Sequence, residues 1–210
     1  MLKIRTNVPK LSRKERDEIR HRKDILDAAE RVFARKGFHS ATIADVAAEA
    51  EFGIGTIYKF FKNKDELFIR FIAEKIGGLV ESTKAAADRA LNPRGKIEAC
   101  VATQLQFFYD NRELHRIFTV EAPLFEETIG GRLGGELKSK IAEHVNFFEE
   151  IVSDGIKAGI FRPVKHMVAT HAVMGIIYMS VQHWSIFEPD SDLLSWKDSI
   201  LEVIFNGILA

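Results

Sequence analysis

The sequence predicts an all-α protein: an N-terminal three-helix domain with a helix-turn-helix, then a larger helical domain, about nine helices in all. Proline is scarce, with 5 among 210 residues, and no segment alternates apolar and polar residues as a half-buried strand does. Apolar residues recur instead every three or four positions, which is the pattern of amphipathic helices. The 16 phenylalanines supply bulk for a helical core.

Charge is distributed unevenly along the chain. The formal net charge is zero, but residues 1–64 carry 15 Lys and Arg against 9 Asp and Glu. The rest of the chain therefore has an acidic surplus. This asymmetry is expected if one end of the molecule meets phosphates and the other does not.

Residues 1–19 are polar and basic, and we expect a flexible arm there. Such an arm either reaches the DNA backbone or minor groove or stays a solvated tail. The first helix is predicted from Arg20 to Lys36, with Gly37 ending it in a left-handed conformation. The positive charge of Arg22, near the predicted start of this helix, is unfavourable next to the positive end of the helix dipole. A nearby DNA phosphate would explain why a cation stands there.

Two short helices follow, Ile43 to Ala50 and Ile54 to Phe61, joined by a turn at 51–53. Thr42 is the candidate N-cap of the first. The second helix must bury its apolar side, which is centred on Ile57. The other side then carries an unusual mixture of residue types. That side carries a glycine, which lets a phosphate come close, together with a hydroxyl, a phenol ring and a cation. This combination suits a DNA major groove. The candidate DNA contacts are Arg22, Thr42, Ile54, Gly55, Thr56, Tyr58, Lys59 and Lys64.

This segment resembles the DNA-binding signature of the TetR family of transcriptional regulators. The matching residues are Thr42, Ile43, Ala47, Ala50, Gly55, Thr56, Ile57, Tyr58, Phe60, Phe61, Lys64, Glu66 and Leu67, with Gly37 and Phe38 upstream. Two positions depart from the pattern: Glu51 stands where the family usually has a turn glycine, and Gly53 where it usually has a capping serine. The resemblance implies a dimeric, sequence-specific DNA-binding regulator, by family habit a repressor.

We therefore divide the chain into a basic arm at 1–19, a helix-turn-helix domain at 20–63 and a ligand-binding and dimerisation domain at 64–210. The helices of the last domain are predicted at about 64–90, 96–110, 114–125, 136–158, 165–187 and 193–209. The last two helices are apolar around most of their circumference. Each must therefore be buried against another surface in addition to its own domain. The resemblance implies that they pair with a second copy in a four-helix bundle, which suits a pseudo-palindromic operator. The predicted interface residues are His171, Gly175, Met179, His183, Trp196, Ile200, Val203 and Ile204.

The resemblance also implies a small molecule inside this domain that changes the spacing of the two DNA-binding heads. Candidate ligand contacts are Gln104, Phe107, Phe118, Glu121, His144, Phe147, Phe148, Met174 and Tyr178, with Phe125 as further apolar wall. Abundant phenylalanine favours a hydrophobic effector such as a fatty acid, an acyl-CoA, an aromatic compound or a drug. The alternative is that these aromatic side chains are plain core packing.

Other classes of protein find little support in the sequence. The single cysteine, Cys100, rules out an intrachain disulfide, and the histidines of 165–187 lack the i, i+4 spacing of a metal site. No nucleophile elbow or phosphate loop is present, so we expect neither an enzyme nor a cofactor. No signal peptide or membrane span is visible, which favours the cytoplasm. The alternatives are a ligand-independent DNA-binding protein and, less in keeping with the motif, a helical enzyme or a protein-interaction module.

Overall fold

A computed structural model describes residues 12–112 and 134–208. These residues form helices with no strand between them, which confirms the all-α prediction. The helices are α1 Arg13–Ser40, α2 Ile43–Glu49, α3 Ile54–Phe60, α4 Lys64–Ala87, α5 Pro93–Asp110, α6 Gly134–Lys157, α7 His166–Phe187 and α8 Lys197–Ile208, with a 3₁₀ turn, Leu193–Trp196, before α8. The predicted helix at 114–125 lies outside the described residues.

The chain divides into two compact units between Leu67 and Phe68. The first unit contains α1, α2, α3 and the first residues of α4. Its core is formed by Ile25, Leu26, Ala28, Ala29, Val32 and Phe33 of α1 together with Ile43, Val46, Ala47, Ile57 and Phe61. Burying this apolar surface is what holds the two short helices, because helices of seven residues are marginal on their own.

The first helix begins earlier than predicted. Ser12 caps α1: its hydroxyl accepts the Glu15 N–H at 3.2 Å, and the Glu15 carboxylate accepts the Ser12 N–H at 2.7 Å. This reciprocal capping box fixes the start of the helix. Residues 12–19 are polar, so apolar periodicity does not indicate a helix there. The prediction that α1 starts at Arg20 was therefore wrong, and Arg22 lies inside the helix, where the dipole argument does not apply.

Gly37 ends the regular part of α1, as predicted. Its φ of +71° belongs to the left-handed region, which glycine enters without the Cβ penalty of other residues. The chain then reaches Ala41, which is buried, and the capped start of α2.

The second unit packs α5, α6, α7 and α8 around one apolar cluster that contains Phe148, Phe161 and Trp184. The indole N–H of Trp184 donates to the Ser191 carbonyl oxygen at 2.9 Å, so the largest core side chain also satisfies its polar atom. The last turn of α6 packs closely against the segment that follows it. A Cβ placed on Gly155 would lie 2.1 Å from the ring of Phe161, so only glycine fits there.

Candidate DNA-contacting surface and effector region

The second short helix, α3, is anchored from one side and open on the other. Ile57 is fully buried and Phe61, just after the helix, is almost so. Tyr58 is 54% exposed, and Ile54 and Lys59 are exposed with it. The inward and outward faces thus divide as the sequence pattern predicts. The result is a rigidly seated helix that presents a phenol, a cation and an aliphatic side chain to its surroundings.

Two glycines of this region have free space around them. Gly53 is the N-cap of α3 and supplies no side-chain hydrogen bond to the helix start. A Cβ on Gly55 would meet no atom within 4 Å. The packing of the described chain therefore does not require glycine at 55, although glycine weakens a helix. Close approach by something outside the chain would require it. Thr56 is half-buried beside it.

Thr42 has a structural role that leaves little for DNA. Its hydroxyl accepts the Asp45 N–H at 3.1 Å and donates to the Asp45 carboxylate at 2.9 Å. A hydroxyl has one hydrogen to donate, and here Asp45 takes it. The prediction that Thr42 caps α2 is confirmed, and its contact with DNA stays a prediction.

Lys64 is hydrogen-bonded within the first unit, and its contact with DNA stays a prediction. Its ammonium donates to the carbonyl oxygens of Phe38 at 2.8 Å, His39 at 3.1 Å and Ala41 at 3.0 Å. It lies 4.5 Å from the centroid of the Phe38 ring as well. An ammonium has three N–H donors, so all three are used inside the first unit. The side chain ties the start of α4 to the segment that follows Gly37.

Arg22 stays exposed and keeps its guanidinium 5.3 Å above the Phe61 ring. A cation–π contact of this kind orients the guanidinium without consuming its hydrogen-bond donors. Arg22 is therefore placed by a core residue of the first unit and still has N–H groups for an anion.

Sequence reasoning missed a set of ion pairs between α1 and α2. Glu49 accepts hydrogen bonds from Arg31, at 2.6 Å, and from Arg35, while Lys36 donates to Asp45 at 2.7 Å. The hydrogen bonds from Lys36 and Thr42 lower the pKa of Asp45 to about 2, and those from Arg31 and Arg35 lower the pKa of Glu49. These three bases are thus paired with acids of α2, although they count toward the basic surplus of residues 1–64.

The turn between α2 and α3 contains a strained residue. Glu51 has φ +58°, the one non-glycine with positive φ in the described chain. This is the position where the sequence departs from the glycine typical of the motif. A Cβ in the left-handed region costs roughly 1–2 kcal/mol, so the turn keeps the motif's backbone geometry at an energetic cost.

In the second unit, two of the predicted polar ligand contacts lie together in the core. The Gln104 carboxamide nitrogen on α5 is 3.2 Å from Nε2 of His144 on α6. The two residues are only 7% and 8% exposed. Burial, and then the charge of Lys84, lowers the pKa of His144 to about 4, so its imidazole is neutral at pH 7. The ring stacks on buried Phe148 at 5.3 Å.

The other ligand candidates have different positions. Phe107, Phe147 and Met174 are half-buried, with Phe147 and Met174 against the core cluster. Tyr178 is 52% exposed on α7, and its contact with a ligand stays a prediction. Phe118, Glu121 and Phe125 lie outside the described residues.

The predicted interface helices carry an exposed stripe. Along α7, Val168, His171, Met179, His183 and Ile186 are exposed, with Gly175 half-buried among them. On α8, Val203 is 59% exposed, whereas Ile200 and Ile204 are buried in the cluster of their own unit. The prediction of an interface role for Ile200 and Ile204 was wrong because both fill the core. Trp196 is half-buried, 5.9 Å from the His183 ring.

Three features of the described residues bear on other functions. They contain no group of three or more His, Cys, Asp or Glu side chains placed to hold a metal ion. None of their helices is both long enough and apolar enough to cross a membrane. Cys100 is buried among apolar side chains, which raises the pKa of its thiol to about 12 and leaves it unreactive.

Two family profiles match consecutive parts of the chain. Residues 25–71 match the bacterial regulatory proteins of the tetR family, and residues 72–207 match the C-terminal region of YsiA-like proteins. The first match spans α2, α3 and the anchoring part of α1, and the second spans most of the second unit.

Related proteins agree with these profiles. The chain is 26% identical over 189 residues to the fatty acid metabolism regulator protein of Bacillus subtilis, covering 88% of this chain and 93% of the relative. It is 29% identical over 177 residues to the uncharacterized HTH-type transcriptional regulator YhgD of the same species, covering 83% and 89%. Among solved structures, the transcriptional regulator FadR from Bacillus subtilis in complex with stearoyl-CoA has the same fold, with a TM-score of 0.76 at 24% identity over 88% of this chain and 98% of that one. The chain belongs to the tetR family of bacterial regulatory proteins and is a DNA-binding transcriptional regulator.

Proposed function

We propose that the chain is a homodimeric repressor that inserts α3 of each copy into a pseudo-palindromic operator and leaves the DNA when the second unit binds a long-chain acyl effector. The observation that carries the DNA part is the seating of α3, with Ile57 buried and Tyr58 and Lys59 turned outward. Tyr58 suits base edges or phosphate, Lys59 and Arg22 suit phosphate, and bare Gly55 suits close backbone approach.

Dimerisation is supported by the exposed stripe on α7 and by Val203 on α8. An apolar stripe of this length on a single protein is costly in water. A two-fold interface covers it on both copies at once, because the same surface meets itself. One short recognition helix touches few bases, so two heads on one duplex also raise affinity and specificity.

The acyl effector is supported by the relatives. One is named for fatty acid metabolism, and another was solved with stearoyl-CoA. In this chain the half-buried Phe107, Phe147 and Met174 and the buried Gln104–His144 pair offer an apolar wall with a polar point, as a lipid-like ligand needs. Effector binding can shift the equilibrium between the DNA-bound and released arrangements of the two heads only by the difference in its affinity for them.

The DNA part is tested by selecting duplexes from a random-sequence library with the purified full chain and measuring affinity for the selected duplex. We expect a sequence with two related half-sites and affinity that falls steeply with salt. Gly55→Ala should weaken this binding while leaving the fold intact, since a Cβ there meets nothing within 4 Å. Gly78→Ala, also in open space on a helix, is the matched control. Sequence-blind binding, or full affinity in Gly55→Ala, would contradict the assignment.

The dimer is tested by sedimentation of the wild-type chain and of Met179→Glu. We expect a mass near twice 23.8 kDa for the wild type and dissociation on placing a carboxylate in the stripe, since an unpaired charge is costly in an apolar contact. Asp198→Ala, exposed on α8, controls for a general effect of substitution. A wild-type monomer at micromolar concentration would refute the dimer.

A further inference from the structure

One side chain of α1 contacts aromatic residues at both ends of α3. We infer that His21 is a positioning residue for operator recognition: it fixes the orientation of α3, and with it the match between α3 and the operator bases, without contacting DNA itself. This inference rests on the role of α3 proposed above and adds to it a residue outside the helix-turn-helix that determines specificity.

His21 lies one turn before the buried part of α1. It precedes Ile25 by four positions, and residues four apart share a face of a helix. Its ring therefore continues the face of α1 that packs in the core of the first unit. The His21 side chain is half-buried, whereas Arg20, Arg22 and Lys23 around it are exposed. The polar start of α1 thus joins the packed part of the first unit at His21.

The imidazole ring lies against aromatic rings on both sides of α3. Its centroid is 5.1 Å from that of Phe52, the turn residue before the N-cap Gly53, and the two rings are inclined at 67°. It is 6.5 Å from the centroid of Phe60, the last residue of α3, with an inclination of 88°. Edge-on contacts are a favoured geometry of aromatic pairs and are directional. One ring thus contacts both the segment that leads into α3 and the residue that ends it.

The start of α3 is weakly fixed by the helix itself. The helix has seven residues, and its N-cap Gly53 supplies no side-chain hydrogen bond. A helix this short is not stable alone. The buried residues Ile57 and Phe61 lie in the middle of the helix and just past its end, so the first turn has no buried side chain of its own. The contact between His21 and Phe52 supplies packing at that end.

The orientation of α3 matters more for base recognition than for electrostatic attraction. Tyr58, exposed on α3, must meet its DNA partner at hydrogen-bond distance, and a small tilt of the helix breaks such a contact. The attraction of cations to phosphates carries no sequence information and does not depend on one helix orientation. A change at His21 should therefore lower affinity for the operator and leave affinity for an unrelated duplex unchanged.

The test measures affinities of the full chain for the selected duplex and for a scrambled duplex of the same length, by fluorescence anisotropy at several salt concentrations. We expect His21→Ala to lower the ratio of the two affinities by about tenfold, because two aromatic contacts are lost. His21→Phe keeps an aromatic ring at this position and should recover the ratio. Ile19→Ala, which shortens an exposed side chain on the same helix, should leave the ratio unchanged.

The salt dependence separates a positioning residue from a DNA contact. Losing a phosphate contact reduces the slope of log affinity against log salt concentration by about one. We expect this reduction for Arg22→Ala and an unchanged slope for His21→Ala.

Four results would overturn the inference and leave the DNA-binding role of α3 intact: a wild-type affinity ratio in His21→Ala, a slope reduced by about one in that variant, an equal loss of affinity for both duplexes, or no recovery in His21→Phe. Failure of the wild-type chain to prefer the selected duplex would instead overturn the DNA part of the proposed function.

Discussion

The ammonium of Lys64, at the start of α4, donates to the backbone carbonyl oxygen of Phe38 with the two atoms 2.8 Å apart. The same ammonium holds the carbonyls of His39 and Ala41. One cation thus donates to three carbonyls of the segment that follows the break in α1 at Gly37. Its charge serves the fold of the first unit.

Lys64→Met should therefore destabilise the first unit by about 2 kcal/mol, because backbone acceptors lose a charged donor. Urea unfolding followed by circular dichroism measures the change. Lys62→Met, two residues earlier and exposed, should change stability by less than about 0.5 kcal/mol. Unchanged stability in Lys64→Met together with a loss of DNA affinity would show that Lys64 serves DNA binding and not the fold.

Glu51→Gly should stabilise the chain by about 1 kcal/mol, since glycine adopts φ +58° without the Cβ strain. Glu51→Ala removes the same carboxylate and keeps the strain, so it should give no such gain. Equal stabilisation by both substitutions would show that the charge, and not the backbone, is the unfavourable feature. Thermal unfolding of the three proteins side by side decides between these outcomes.

His144 should make the second unit sensitive to mild acid. Its pKa is lowered from 6.5 to about 4 in the folded chain, so the unfolded chain binds the proton more readily between these values. The stability contribution is complete above pH 6.5 and is lost as the pH falls toward 4. The free energy of unfolding, measured at pH 7 and at pH 5, should drop more in the wild type than in Gln104→Leu/His144→Leu. Identical drops would mean that His144 is not the titrating group.

Gly155→Ala, in the last turns of α6, should destabilise the chain by roughly 1–3 kcal/mol, because its methyl would overlap the Phe161 ring. Gly155→Ala/Phe161→Leu should recover part of the loss, since the smaller side chain vacates the space. Chemical denaturation of the single and double variants gives both values. A neutral single substitution would show that the ring moves aside without cost.

The outward face of α3 was predictable because Ile57, in a short helix beside a small core, must be buried in that core. Individual polar roles were not. A lysine near a DNA-binding helix suggests a phosphate contact, and only the folded chain shows that Lys64 donates to Phe38 and its neighbours. Ser12 and Glu15 form a helix start that periodicity does not reveal, because no apolar residue marks it.

The limits are similar in the second unit. On α8 the apolar residues cover more than one face, so the sequence does not say that Ile204 fills the core while Val203 points outward. The Gln104–His144 pair joins residues forty positions apart. The sequence predicts each residue separately as a ligand contact. The hydrogen bond between them depends on how α5 packs against α6.

Operator binding by variants of α3 shows whether Tyr58 and Lys59 read the operator. Fluorescence anisotropy with the selected duplex should show Tyr58→Ala and Lys59→Ala each weakening binding by about 1–3 kcal/mol, with thermal unfolding unchanged. Lys157→Ala, exposed on α6, should bind the duplex as the wild type does. Wild-type affinity in both α3 variants would contradict the account.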